Sequence, residues 1–421
     1  MIGAMDTEPT RDPLMESAAD NATRVLDAAR AALHDGENFL AYDLAEKAPD
    51  DGVPSPQKIH VMSLALARSG ALNRATELAA QLPDSDDPEI AGLKSRLFKD
   101  MALASHDTNE RRALFAKAAR HSAYAFARKG AWYNGINAAS CLFMAGARDA
   151  ARRLVRNEVL PRCQAEETKD LWLDATLGEC HLLLGDYQRA AEFYGKAVAS
   201  ATENGHFGNL SSTLRQLRML IAEIGARAQC VWEGLPLPRI AVFSGHMIDR
   251  PGRTPPRFPA SAENGVRAKL REIVARRAVK IAFASCACGG DILFLEEVLS
   301  SGGECVVVPP LPLPATVRNS VSFAGGDWET RLEAILADPR TRLLAPECDE
   351  TGEDDEVVYD FTNRYLLGLA LLKSRSLGFP LLGVCVWDGR DSGSTGGTDS
   401  AVKLWRERGL DMERVTPEAG E

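Results

Sequence analysis

The chain has 421 residues, of which 45% are apolar and 26% charged, and its formal net charge is -10. That length holds two ordinary domains with material for two cores, and the acidic balance counts against a general nucleic-acid binder, which carries a basic face. No apolar run reaches bilayer length, the opening MIGAMDTEPTRDPLMESAAD is polar and acidic, and the 9 cysteines follow no disulfide framework; the expectation is a reduced, cytoplasmic protein with free thiols.

In chain order, residues 1–18 read as a disordered tail and residues 19–230 as helical repeats. The clearest unit is TLGECHLLLGDYQRAAEFYGKAV, Thr176 to Val198, which has the spacing of a tetratricopeptide repeat. Gly178 and Ala190 are small, so two antiparallel helices can approach, and Gly185 suits a turn with positive φ. Equivalent turns fall at Gly36, Gly70, Asp107, Gly146 and Gly225, with Ala41, Ala75 and Ala151 at one common offset. The last unit keeps its first helix only. His181 takes a core position and reads as packed, not catalytic. A solenoid of this kind binds proteins on its concave face.

Residues 231–238 form a linker, since VWEGLPLP breaks the helical period. Short apolar runs then alternate with helical patterns. Strands are predicted at 239–244, 280–285, 304–309, 341–346, 380–387 and 411–416. Strand–helix alternation with continuous apolar strands predicts a parallel α/β sheet over 239–416, covered on both faces. The fold class is therefore α plus α/β, a helical-repeat solenoid followed by a Rossmann-like sheet, with a short disordered tail at 417–421.

Ligands in such sheets bind at the carboxyl ends of the strands. The first strand ends in Ser244, Gly245 and His246, a permissive turn that lets backbone approach a phosphate, though glycine is also ordinary turn chemistry there. The second ends in Ser285-Cys286-Ala287-Cys288-Gly289-Gly290-Asp291. Its glycines suit an anion nest, and Asp291 suits either a ligand contact or a helix cap. Cys286 and Cys288 lack the spacing of a zinc site, so no metal is expected. Pro309 walls the third strand end. Asn363 and Arg364 sit near the start of a helix, where the arginine can pair with a phosphate or with Asp360 or Glu356. Gly393, Ser394, Gly396, Gly397 and Thr398 lie in a loop before a helix, a phosphate cradle or a polar surface loop. The acidic run 347–356 reads as a solvated loop.

YNGINAASCLFMAGA, Tyr133 to Ala147, resembles the helical-repeat region beside the kinase domain in apoptosis signal-regulating kinases and in bacterial proteins that share it. The resemblance implies a regulatory, protein-binding role. The C-terminal motifs AVFSGH, ACGGDILFLEEVLSSGGECVVVPP, FTNRYLLGLA and Gly397-Thr398, in that order over most of 238–415, resemble the SLOG superfamily. That superfamily includes cytokinin-activating phosphoribohydrolases and the DNA-processing protein DprA. It implies a Rossmann-like sheet that binds nucleotides or their derivatives and often self-associates. The phosphoribohydrolase loop reads P-G-G-x-G-T-x-x-E, and Ala401 stands where its catalytic glutamate would be. No catalytic residue and no cofactor are therefore expected. The sequence predicts a sensor or signalling adaptor: a nucleotide-derived ligand on the sheet domain, a protein partner on the repeats, a homo-oligomer, and no membrane or nucleic-acid partner. The alternatives are a hydrolase of a nucleotide N-glycosidic bond and a non-catalytic oligomerising scaffold.

Overall fold

The computed structural model describes residues 18–50, 54–82, 88–346, 355–391 and 395–418. The expected tails, 1–18 and 417–421, lie almost wholly outside the described residues, as do most of the acidic run and both Gly393 and Ser394. The chain divides into two compact units, one running to Ala197 and including His206–Glu233, the other made of Val198–Gly205 and Gly234–Glu421.

The first unit is a set of antiparallel helix pairs. Ala18–His34 pairs with Asn38–Lys47, Pro56–Arg68 with Leu72–Ala79, and Pro88–Ala104 with Thr108–Lys129. Trp132–Met144 packs on Arg148–Leu154, which runs through a π turn at Val155–Val159 into Leu160–Ala165. Pro161 has no amide to give an uninterrupted helix, and the wider turn before it absorbs that defect. Leu171–Leu184 and Tyr187–Glu203 follow, then Phe207–Ile224 with a short helix, Gln229–Glu233.

The predicted turns are there. Gly36, Gly70, Gly146, Gly185 and Gly225 have φ between 79° and 94°, a region closed to most side chains. Asp107 instead caps the next helix, its carboxylate accepting the Glu110 amide at 2.7 Å. A Cβ at Gly178 would lie 2.8 Å from the Tyr194 ring, so the close helix approach is real. His181 is buried and stacks on Phe193. The superhelix also returns on itself. Gly208, near the start of the last long helix, lies against the end of the first, where a Cβ would meet the Leu33 carbonyl at 2.6 Å. Asn209 Nδ2 is 3.1 Å from His34 Nδ1. The repeats thus form a closed ring.

The second unit contains one six-stranded sheet: β1 (Arg239–Gly245), β2 (Val279–Ala284), β3 (Glu304–Val307), β4 (Thr341–Leu343), β5 (Leu381–Val386) and β6 (Asp411–Val415). Every pairing is parallel, and the spatial order is β4-β3-β2-β1-β5-β6. In β1 Ile240–Phe243 and in β5 Leu382–Val386 are buried without alternation, because helices cover both faces. Helix Thr398–Glu407 rests on β5, and a Cβ at Gly383 would strike the Trp405 ring at 2.8 Å. The chain winds outward from β1 to β4, then crosses back to place β5 on the other side of β1. The turns after β1 and β5 therefore lead away in opposite directions, which makes the β1/β5 switch point the expected crevice for a ligand.

Candidate functional site

Three side chains meet at that crevice. His246, the first residue after β1, is 4% exposed. Asp388 follows β5, and its Oδ1 lies 3.1 Å from His246 Nε2. Arg257 comes from the long segment after β1 and sets its guanidinium 2.7 Å from His246 Nδ1. A guanidinium only donates, so Nδ1 accepts, and the ring proton sits on Nε2 and is given to Asp388. Burial lowers the imidazole pKa against the pull of Asp388, which keeps the ring neutral at pH 7. Both of its nitrogens are committed, so His246 orients its neighbours and is not a free base.

The backbone around this trio is pinned. Asp249 Oδ2 accepts the amides of Arg257 at 2.8 Å and Phe258 at 2.9 Å, which fixes where the guanidinium starts. Asp388 Oδ1 also accepts the Arg390 amide at 3.1 Å. Burial works to raise the Asp388 carboxyl, but the bonds from His246 and the Arg390 amide hold it below the ordinary range, so it is ionised. Its other oxygen, Oδ2, is buried without a hydrogen-bond partner among the described residues. A buried anionic oxygen of this kind is costly to leave unmatched.

Of the residues expected from sequence, Ser244, Gly245 and His246 adjoin Gly289, Gly290 and Asp291. A Cβ at Gly290 would lie 3.0 Å from the Gly245 Cα, and one at Gly289, where φ is 96°, would meet the Ile248 amide nitrogen at 2.7 Å. These glycines are needed for backbone packing. The loop amides are used internally: Ala287 donates to Asp291 Oδ2 at 3.1 Å, Cys288 to the Ser320 carbonyl at 2.9 Å, and Gly290 to the His246 carbonyl at 3.0 Å. Asp291 is not the N-cap of its helix, which is Gly289, but a buried acid reaching back into the loop. Burial raises its pKa to about 7, while the amides of Ala287 and Gly245 pull the other way. Cys286 and Cys288 are buried thiols, and burial pushes Cys288 up to about 12.

Elsewhere, Asn363 Nδ2 donates to the carbonyls of Gly396 at 3.1 Å and Gly397 at 3.3 Å, tying its helix to the loop before buried Thr398. Arg364 points out, its side chain 63% exposed and paired with Asp360 one turn back at 2.7 Å. Pro309 is buried beyond β3, and Ser285 lies partly buried after β2. Sequence reasoning missed Asp388 and Arg257. An Asp just past a predicted strand was a usable signal for the first. Nothing local marked the second.

A family described as Tetratricopeptide Repeats-Sensor matches residues 25–142. Comparison with curated proteins finds no match. Among solved structures, the chain is similar to LpoA of Haemophilus influenzae in two crystal forms. One is 13% identical with a TM-score of 0.24, covering 96% of this chain and 66% of that one. The other is 12% identical with a TM-score of 0.22, covering 88% and 71%. Likeness at that level carries no functional argument.

Proposed function

We propose that this protein is a sensor-type adaptor whose Rossmann-like sheet binds a nucleotide-derived ligand in the β1/β5 crevice and whose tetratricopeptide-like ring binds a protein partner. One observation carries the ligand reading: Asp388 Oδ2 is buried, ionised and unmatched at the switch point of the sheet. A carboxylate in that position suits a ribose hydroxyl. Arg257 supplies positive charge beside it, and helix Thr398–Glu407 starts at Gly397, which has no side chain to cap it, so its N-terminus suits a phosphate. The same carboxylate also favours a second reading, general acid–base help in breaking an N-glycosidic bond in place of the absent glutamate. A homo-oligomer is supported by Val357, Phe361, Tyr365 and Leu372, large apolar side chains exposed along helix Asp355–Leu377.

The test is a thermal-shift and calorimetric titration of the full chain with nucleosides and nucleoside mono- and diphosphates, with chromatography for released base. Asp388→Asn keeps an acceptor for His246 and replaces the open acceptor with a donor. Binding that weakens about tenfold or more in that variant supports the reading, since a lost charge-assisted hydrogen bond costs about 1.5–3 kcal/mol. Equal binding by both proteins, or none by either, refutes it. Free base in the wild-type reaction alone moves the protein to the hydrolase reading.

A further inference from the structure

The first unit holds a half-open cavity of about 830 Å³, lined by six of its helices and the capping residue Asp170. Its charges are unbalanced. Arg68 gives one Nη to the Leu33 carbonyl at 2.6 Å, while its Nε is buried with no hydrogen bond. Arg96 Nε forms an ion pair with Asp100 Oδ2 at 3.4 Å, but both atoms are buried without a hydrogen bond among the described residues. Lys99 donates to Asn137 at 3.1 Å and Gln216 at 3.2 Å, and its charge also acts on buried Glu179.

The carboxylates at the cavity have other work. Asp170 caps a helix through the Leu173 amide at 2.8 Å, and Glu89 is 73% exposed beside His60. Glu179 is buried, accepts from Ser140 and Gln216, and is pushed toward its neutral form by that burial. Burial depresses Arg68 to about 9, with repulsion from Arg96 and Arg215 adding to it, and depresses Arg96 to about 10 against the pull of Asp100, with repulsion from Arg215 adding to it. Cations held close together in a cavity, with donors unsatisfied, are matched by an anion. The wall also carries Trp132 and Trp172, flat faces suited to stacking on a ring.

We infer that the ring is itself a small-molecule site, taking a planar ring that bears a doubly charged oxyanion such as a phosphate monoester, with the anion on Arg68 and Arg96. This site is independent of the crevice in the sheet and changes the role of the repeats, which bind a ligand as well as a partner. Guanidinium forks suit the oxyanion because each can donate two parallel hydrogen bonds.

The experiment is calorimetric titration of the full chain with phenyl phosphate, with phenol and inorganic phosphate as half-ligands. Phenyl phosphate is expected to bind, and each half-ligand to bind about tenfold or more weakly. Arg96→Met and Arg68→Gln should each weaken monoester binding about 10- to 100-fold, the loss of one charge-assisted pair. Phenyl phosphate has no ribose for Asp388 to hold, so failure of this inference and failure of the crevice reading are read separately. A purely structural arginine makes a different prediction, so the ligand-free melting temperature is the second readout. If these cations await an anion, Arg96→Met melts no lower than wild type and the phosphate-induced rise in melting temperature shrinks. The inference is overturned if phenyl phosphate does not bind at millimolar concentration or if the arginine variants bind it as wild type does.

Discussion

Asp291 offers a direct test of how the loop after β2 is held. Its carboxyl is buried, and burial raises it from 3.8 to about 7. In the unfolded chain the group returns to the lower value. A folded pKa above the unfolded one means that the native state holds its proton longer. Its stabilising share is therefore complete below pH 3.8 and is lost as pH rises through 7. The full difference is about 4 kcal/mol at roughly 1.4 kcal/mol per unit, of which about 3 kcal/mol is lost between pH 5 and 8. Asn is the isostere of the protonated acid and keeps an acceptor for the Ala287 amide. Urea unfolding of wild type and Asp291→Asn at pH 5, 6, 7 and 8 measures the difference, read on whichever transition the substitution moves. Asp291→Asn should gain on wild type by about 3 kcal/mol across that range. A constant difference at every pH would mean that the loop amides ionise the carboxyl at its ordinary value, and the burial argument would fall.

Two other predictions concern packing and assembly. Gly178→Ala places a Cβ 2.8 Å from the ring of Tyr194, which is 1% exposed and has no room to retreat. Thermal denaturation should show a loss of about 1–3 kcal/mol, partly restored by adding Tyr194→Leu; an unchanged variant would mean that the helix pair is looser than described. Phe361 is 64% exposed and stacks on Tyr365. If that helix face joins copies of the chain, Phe361→Glu lowers the mass found by light scattering at micromolar concentration, and equal masses exclude the face as the interface.

The fold was readable because its signals are local. Gly70 and Gly185 each need a positive φ at one point of a helix pair, and that need is written at a single position. The strands were readable to within a few residues because Ile240–Phe243 and Leu382–Val386 are apolar without alternation, which only a doubly covered sheet requires. The crevice was half readable. His246 could be found from the end of β1, but its partners depend on the order β4-β3-β2-β1-β5-β6, which alone brings Asp388 beside it. Arg257 has no periodicity or motif to announce it. Gly289 and Gly290 were visible, yet their spacing could not tell a glycine that admits a phosphate from one that admits another strand's backbone, and the structure places the Gly245 turn there.

The helical cavity was not readable, for a reason that bears on its function. Arg68 and Arg96 sit in amphipathic helices, where an arginine ordinarily faces water. Their Nε atoms are buried in a ring where Gly208 lets the last helix close on the first and Lys99 reaches Gln216 across 117 positions of sequence. Closing the ring raises the cost of every unmatched charge inside it. An open solenoid would leave these arginines hydrated and indifferent to ligand. In a closed one, the proposed anion would stabilise the whole ring by neutralising them, which is the coupling between occupancy and stability that the proposed sensor role requires.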